Sequence, residues 1–307
     1  MKKITRNQSK FGIAGILLMM AFAIQSCSKS SSSNPPPPPG PEPIGGFVSS
    51  DSVEPGNLIA YWPFDGDAND HKGSQNSTAS PNVTYAQNGI RGQAYQGSAT
   101  AYATVPANPS FASLQSYSIS LWFFMAAQPS SSPNDPNGIF FLTGDSTQDE
   151  LVCEIEPYKP VSLDSVRIHT GFNDLASPAY QLFVMEAFAD TAIGKWVHLV
   201  MTYDGGSSTY VVYENGVPIN NNSAFGLSTS TILYTDGSKA TPLGNLGFTD
   251  VPKNIILGTW PAGLFGVSPT LGSNGCFQGQ MDELRVFNIA LTQHDVSGLY
   301  LNGLAHR

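Results

Sequence analysis

Six consecutive residues, Asp65 to Asp70 (DGDAND), place side-chain oxygens at alternate positions of the chain. This spacing is typical of a calcium loop, because Ca²⁺ takes about six to eight oxygen ligands from carboxylates, amides and carbonyls. The segment does not match an EF-hand, since Asp70 stands at the glycine position and Asn76 at the position of the bidentate glutamate. Asp65 and Asp67 are also ordinary turn-forming residues. The pattern leaves a calcium loop and a polar turn open.

A second acidic segment, Asp149 to Glu156 (DELVCEIE), alternates carboxylates with apolar residues near its end. In a strand, Glu154 and Glu156 would share one face and would allow the carboxylate pair of a glycoside hydrolase. Pro157 interrupts the strand directly afterwards. We therefore expect an exposed acidic strand and predict no catalytic residue. His198, within a strand, is expected to be a hydrogen-bonded structural histidine.

The long segment from Asp236 to Gly275 is rich in glycine and contains Trp260 in the sequence GTWPAG. Loops of this length are uncommon unless they are functional or partly structured. Sugar sites combine aromatic platforms with amides and carboxylates, so Trp260 is the first candidate ligand-binding residue. A tryptophan that closes one end of the fold is the alternative. Further candidates for a ligand-binding surface are Tyr158, Asn173, Asp174, Tyr234 and Phe248.

Residues 1–26 have the composition of a signal sequence for export. Basic residues precede an apolar run from Phe11 to Ile24, which is shorter than the roughly 20 residues of a membrane span. The run leads to Cys27 in a sequence that resembles the lipobox of bacterial lipoproteins, whose cysteine is acylated. Residues 27–56 contain a serine run and five consecutive prolines, which predict a disordered tether. We expect a lipid-anchored protein of the bacterial cell envelope, on the outer membrane or cell surface; an ordinary secretory signal is the alternative.

Acidic residues outnumber basic ones by 23 to 14, and four of the basic residues lie in the signal sequence. A domain with this balance repels polyanions, which argues against nucleic acid as a partner. With Cys27 acylated, two cysteines remain in an oxidising compartment. Cys153 and Cys276 would form one disulfide if their Cα atoms lie within reach, and would be two separately buried thiols otherwise.

Short apolar runs broken by Gly, Pro, Asn, Asp and Ser follow one another from residue 57 onward. Tyr117 to Met125 alternates at a period of two, as a strand does, and Asn215-Gly216 predicts a hairpin. One helix is expected after Thr292, which can cap it. This pattern predicts an all-β fold over residues 57–307, a two-sheet antiparallel jelly-roll β-sandwich with one short C-terminal helix. We expect its first strand, in Leu58 to Asp70, to lie beside its last, in Phe277 to Asn302.

The chain resembles the LamG-like jelly-roll domains of bacterial surface proteins in four segments. In chain order they are LIAYWPFDGDAND from Leu58, KWVHLVMTYDG from Lys195, YENGVPI from Tyr213 and GQMDELRVFNIAL from Gly279. Such domains belong to the concanavalin A-like lectin/glucanase superfamily, and the resemblance covers residues 57–304. It implies the β-sandwich specifically and the function only broadly, because this fold serves lectins, adhesion modules and enzymes.

The resemblance also implies one structural Ca²⁺ between the first and last strands, with Asp65, Asp70 and Asp282 as ligands. The alternative is that Asp282 pairs with Arg285 or Lys72. The related glucanases carry acidic residues in the pattern E-x-D-x-x-E, which DELVCEIE does not match. The expected function is that of a surface lipoprotein that binds carbohydrate or a glycosylated partner without catalysis. A protein–protein adhesion or scaffold module and a divergent glycoside hydrolase or lyase are the alternatives.

Overall fold

Two antiparallel sheets, packed face to face around one apolar core, form the fold. A computed structural model describes residues 40–128, 137–145, 150–156, 164–176, 185–189, 191–219, 231–235, 239–261 and 275–307. The predicted signal sequence, Cys27, residues 28–39 of the predicted tether and Tyr158 lie outside these residues.

The strands are numbered in chain order. In the described residues, a nine-stranded sheet contains β1 (Leu58–Trp62), β3 (Thr84–Ala86), β4 (Ala94–Gln96), β6 (Tyr117–Phe124), β11 (Trp196–Asp204), β12 (Thr209–Glu214), β13 (Val217–Pro218), β14 (Thr231–Ile232) and β16 (Gln280–Phe287). A seven-stranded sheet contains β2 (Thr78–Ala79), β5 (Ala103–Pro106), β7 (Asn137–Thr143), β8 (Leu151–Glu156), β9 (Val166–Phe172), β10 (Met185–Ala189) and β15 (Asn254–Leu257). Two 3-10 helices (Ser50–Ser52 and Pro109–Ser113) and helix α1 (Gln293–Leu304) complete the described elements.

Strand order follows from the pairings along the described chain. The larger sheet runs β13-β12-β11-β6-β16-β4-β3, with β1 beside β16 and β14 beside β12. The smaller sheet runs β10-β9-β8-β7-β15-β5-β2. All these pairs are antiparallel, and the one helix lies at the C-terminus. The predicted all-β jelly-roll sandwich with one short C-terminal helix is confirmed.

The core is built from alternate residues of the strands. In β6, Tyr117, Ile119, Leu121 and Phe123 point into it, as the period of two predicted. The opposite face of β6 is also buried, because helix α1 covers it and the Trp122 and Tyr300 rings stack with centroids 5.7 Å apart.

The first and last strands of the sandwich pair, as predicted. Strand β1 pairs with β16, with Leu58 opposite Phe287 and Trp62 opposite Leu284. The same β16 lies beside β6 on its other side, so the last strand joins the first strand to the middle of the larger sheet.

A bulge in β16 gathers charged residues at this junction. Glu283 has a φ of +54° there, and it accepts a hydrogen bond from the Tyr61 hydroxyl at 2.6 Å. Arg285 forms ion pairs with Glu283 at 2.6 Å and with Asp51 at 2.9 Å. The buried Glu283 carboxylate is therefore compensated, as a charge removed from water must be. Asp282, for which pairing with Arg285 was the alternative, accepts backbone N–H groups in this bulge.

Two local predictions from turn and cap residues are confirmed. Asn215 and Gly216 have φ values of +50° and +82°, as a type I′ hairpin turn requires, and they join β12 to β13. Thr292 caps α1 in a capping box with Asp295, whose N–H donates to the threonine hydroxyl at 3.3 Å. No helix among the described residues is both long enough and apolar enough to cross a membrane.

The predicted tether, residues 27–56, extends too far toward the C-terminus, because the residues from Pro41 onward belong to the folded unit. Pro41 to Arg307 form one compact unit, in which the Ser50 N–H donates to the Arg307 carbonyl at 3.1 Å. The Asn302 amide donates to the Ile44 carbonyl at 2.9 Å, and Val53 is buried in the apolar cluster beneath helix α1. The reason is composition, because the apolar residues that follow the prolines can bury surface and the serine and proline runs cannot.

Cys153 and Cys276 are both buried and both free, so the predicted disulfide is not formed. Cys153 faces the core from β8, whereas the Cys276 thiol donates to the Thr259 hydroxyl at 3.3 Å. The alternative of two separately buried thiols describes the structure.

Candidate functional site

A pocket of about 340 Å³ lies between the loop that leads into β15 and the 3-10 helix that precedes β6. Its volume falls within the roughly 300–1,000 Å³ of small-molecule sites. The lining residues are Ala112, Leu114, Leu246, Gly247, Phe248, Thr249, Asp250, Val251 and Pro252. We call this cavity the loop pocket, and we call residues 246–252 the pocket loop.

Glu150 holds the middle of the pocket loop in place. Its carboxylate accepts hydrogen bonds from the Thr249 N–H at 3.1 Å, from the Thr249 hydroxyl at 2.7 Å and from the Asp250 N–H at 2.6 Å. Burial raises the pKa of the Glu150 carboxyl above its usual value, and these donors act in the opposite direction. The position just before β8 thus fixes a loop about 100 residues later in the chain.

Asp174 holds the start of the pocket loop from the end of β9. Its carboxylate accepts the Gly247 N–H at 2.8 Å and the Ala176 N–H at 2.8 Å. In return, the Leu175 N–H donates to the Gly247 carbonyl at 2.7 Å. Burial raises the pKa of Asp174, and the two N–H donors lower it in part. The loop is therefore fixed before any ligand arrives, which reduces the entropic cost of binding.

One of the predicted ligand-binding residues lines the loop pocket, and another holds its loop. Phe248 lines the pocket as a half-buried ring, and the buried Asp174 binds the Gly247 N–H from behind. Asn173 is buried and donates its N–H to the Glu150 carbonyl at 3.3 Å. Tyr234 is outside the lining and forms an isolated bridge with Pro242. Sequence reasoning missed Glu150, since one acidic residue before a strand carries no signal of the distant loop that it binds.

Trp260 does not form an exposed aromatic platform. Only 8% of the residue is accessible, and its ring packs edge-on against Phe141 with centroids 5.3 Å apart. Together with Val152 and Ile256 they form a small apolar cluster. An added Cβ at Gly138 would lie 2.5 Å from the backbone nitrogen of Trp260. The glycine therefore allows the two backbone segments to approach each other closely. Trp260 is therefore a buried packing residue, in an apolar cluster separate from the main core, and not a ligand platform.

A polar cluster on strands β8 and β9 contains the two glutamates considered as a catalytic pair. The His169 Nδ1 lies 3.2 Å from a Glu154 oxygen and 2.7 Å from a Glu156 oxygen. Arg167 forms an ion pair with Glu156 at 3.0 Å. These contacts lower the pKa of Glu156, although burial opposes them. Glu154 is buried rather than on an exposed acidic strand, contrary to the expectation.

In the described residues, Glu154, Glu156 and His169 form the group whose ligand atoms lie close enough together to hold a metal ion. The two carboxylates already have partners within the protein, because both lie against the His169 ring and Glu156 also pairs with Arg167.

The three predicted calcium ligands are not brought together as such a group. Asp65 accepts the Gln93 N–H at 2.7 Å, and Asp70 accepts the Tyr61 N–H at 2.9 Å among others. Asp282 accepts the Arg91 N–H at 3.0 Å, and burial raises its pKa to about 8. Oxygens that accept N–H groups, in a carboxyl that resists ionisation, do not fit a Ca²⁺ site. Calcium binding by these residues stays a prediction that this geometry does not support.

Comparisons with known proteins agree with the architecture. Residues 96–245 match the family model of the concanavalin A-like lectin/glucanases superfamily. A search of curated proteins finds no match.

Several solved structures share the fold at low identity. Domain 4 of AbnA, a GH43 extracellular arabinanase from Geobacillus stearothermophilus in complex with arabinotriose, is 20% identical with a TM-score of 0.52, over 80% of this chain and 98% of that chain. The binding domain of botulinum neurotoxin serotype D is 14% identical with a TM-score of 0.51, over 82% of this chain and 52% of that chain. A Trypanosoma rangeli sialidase is 12% identical with a TM-score of 0.51, over 87% of this chain and 36% of that chain. At these identities the likeness concerns the fold alone. The described sandwich therefore has the jelly-roll fold of these structures, and its residues 96–245 are similar to the concanavalin A-like lectin/glucanases superfamily.

Proposed function

We propose that this domain binds a carbohydrate, or a glycosylated partner, without catalysis, and that it does so in the loop pocket. The observation that carries the proposal is the pocket itself, about 340 Å³ in volume, with the half-buried Phe248 ring in its wall. A sugar presents apolar C–H faces and hydroxyl groups together. The pocket offers Leu114, Leu246 and Phe248 to the first and the polar groups of Thr249 and Asp250 to the second.

The test is binding to a panel of immobilised polysaccharides and oligosaccharides. Arabino-oligosaccharides belong in that panel because domain 4 of AbnA was solved with arabinotriose. We expect Phe248→Ala to weaken binding about five- to thirtyfold, since losing an aromatic contact in a desolvated site costs on the order of 1–2 kcal/mol. Val217→Ala is the matched control, because Val217 is an exposed apolar residue of β13 and not part of the pocket lining. Equal binding by both variants would exclude the loop pocket as the site.

A protein–protein adhesion module is the second candidate, and two exposed residues favour it. Leu175 is 66% accessible, and its N–H donates to the Gly247 carbonyl of the pocket loop. Val251 is 61% accessible and is part of the pocket loop. A protein partner that covered the pocket would bury these two apolar side chains. A protein partner that binds wild-type protein but not Leu175→Ser, together with a blank polysaccharide panel, would select this candidate.

The hydrolase or lyase alternative is tested through Glu154. We expect no release of reducing ends from the polysaccharide panel, since Glu154 is buried and both glutamates contact His169. Release by the wild-type protein that is lost in Glu154→Gln would instead establish catalysis.

We also propose that the domain is displayed at the bacterial cell envelope by acylation of Cys27. The support is sequence alone: an apolar export signal, a lipobox-like cysteine and a serine- and proline-rich spacer. Cys27→Ser should move the protein from the membrane fraction to the soluble fraction. Unchanged fractionation would exclude the lipid anchor.

A further inference from the structure

Five of the six backbone N–H groups of the pocket loop are already engaged by the protein. Gly247, Thr249 and Asp250 donate theirs to the buried carboxylates of Asp174 and Glu150. The Val251 N–H donates to the Asp250 side chain, and the Leu246 N–H donates to the Gln115 carbonyl. Just after the loop, the Lys253 N–H donates to the Thr143 carbonyl. Pro252 has no N–H to offer.

This arrangement is the reverse of an anion site. Loops that bind phosphates, sulfates or carboxylates direct successive backbone N–H groups at the ligand. Here three of those groups point at two internal carboxylates, so the middle of the loop offers mainly acceptor atoms to a ligand. No lysine, arginine or histidine occurs among the residues that line the pocket. The nearest lysine in sequence, Lys253, forms an ion pair with Asp145.

The charged residues that line the pocket or hold its loop through side-chain hydrogen bonds are acidic. Asp250 belongs to its lining, and Glu150 and Asp174 lie directly behind the loop. The whole sequence also carries a formal charge of −9. An anionic ligand would meet like charges here and find few donors, whereas hydroxyl and ammonium groups would find acceptors.

We propose that the loop pocket selects saccharides by charge, a proposal that rests on the proposed function. It takes neutral sugars and amino sugars, and it rejects saccharides that carry carboxylate or sulfate groups. The selecting feature is the internal capture of the loop N–H groups by Glu150 and Asp174, with Asp250 as the charge in the lining.

The experiment compares one polymer in two charge states. The neutral polysaccharide that binds best in the panel is measured beside the same polymer after oxidation of its primary hydroxyls to carboxylates. We expect the oxidised polymer to bind at least about tenfold more weakly at low ionic strength. The difference should narrow at high salt, because screening reduces repulsion between partly exposed charges.

Two variants keep the test specific. Asp250→Asn removes the charge in the pocket lining and should reduce the discrimination against the oxidised polymer. Glu42→Gln makes the same change in net charge at an exposed position outside the pocket and should leave discrimination unchanged. Equal or tighter binding of the oxidised polymer overturns the charge selection and leaves carbohydrate binding intact. Binding of no polysaccharide at all removes the proposed function and the charge selection with it.

Discussion

His198 makes the fold sensitive to acid, and the size of the effect follows from its surroundings. The residue is 1% accessible and its ring lies 4.9 Å from that of Trp122, beneath helix α1. Its Nε2 lies 2.9 Å from the Ser120 hydroxyl, and its Nδ1 has no hydrogen-bond partner among the residues that the structure describes. Burial, with a smaller contribution from the Arg285 charge, lowers the pKa of His198 to about 3. An unfolded histidine titrates near 6.5, so the unfolded chain binds this proton first.

The direction of the pH effect on stability follows from these two pKa values. The stability contributed by neutral His198 is complete above pH 6.5 and is lost progressively as the pH falls from 6.5 toward 3. At about 1.4 kcal/mol per pH unit, the loss is about 2 kcal/mol between pH 7 and pH 5, with an upper limit near 5 kcal/mol at pH 3. His198→Gln keeps a polar end near Ser120 but cannot take up the proton. Its free energy of unfolding should therefore fall by about 2 kcal/mol less than that of the wild type over the same interval.

The assay is denaturant unfolding followed by tryptophan fluorescence at pH 7 and at pH 5. Other groups titrate in both proteins and cancel in the difference, so only the pH dependence matters and not the absolute stability of the variant. His294→Gln is the matched control, because the His294 side chain is 67% accessible and should leave the wild-type pH dependence unchanged. Parallel pH dependences for the wild type and His198→Gln would refute the reasoning.

Three further outcomes follow from the structure. Burial raises the pKa of Asp282 to about 8 against 3.8 unfolded, so its contribution to stability is complete below pH 3.8 and is lost as the pH rises toward 8. Asp282→Asn should abolish a loss of about 3 kcal/mol between pH 5 and pH 7, and an unchanged pH dependence would show that the carboxyl is ionised. Gly138→Ala should destabilise the fold by about 2 kcal/mol or more in denaturant unfolding, because the new Cβ would lie 2.3 Å from a backbone carbon of Thr259. Gly56→Ala, which meets nothing within 4 Å, is the control, and equal stability of the two variants would contradict the close approach. Exchange of Ca²⁺ for a chelator should leave the unfolding temperature unchanged in calorimetry, whereas a rise with Ca²⁺ that Asp282→Asn abolishes would restore the calcium site.

Local chemistry made much of the fold predictable from the sequence. The period of two in Tyr117 to Met125 follows from the geometry of a strand, and Asn215-Gly216 suits the positive φ values of its turn. Thr292 indicates the start of helix α1, because a hydroxyl at that position accepts a hydrogen bond from an N–H group of the first turn. The pairing of β1 with β16 joins segments more than 200 residues apart, so it is not a local property of either segment.

The candidate site was predictable only in part. Phe248 and Asp174 are candidates by residue type; Phe248 lines the loop pocket, and Asp174 holds the pocket loop from behind. Trp260 was chosen for the same reason and is buried against Phe141. Glycine-rich sequence around a tryptophan indicates a loop, but it does not tell which way the ring turns once the chain folds.

The sequence by itself determined the strands, the turn residues, the helix cap and the acidic balance, since each depends on residues that are close along the chain or on simple counts. Tertiary structure alone decided which carboxylates have partners and which polar groups remain for a ligand. Glu150 and the pocket loop are about 100 residues apart, and their hydrogen bonds form only when the sandwich closes. Long-range contacts of this kind depend on the three-dimensional path of the chain, and so the ligand chemistry of the loop pocket is a property of the fold.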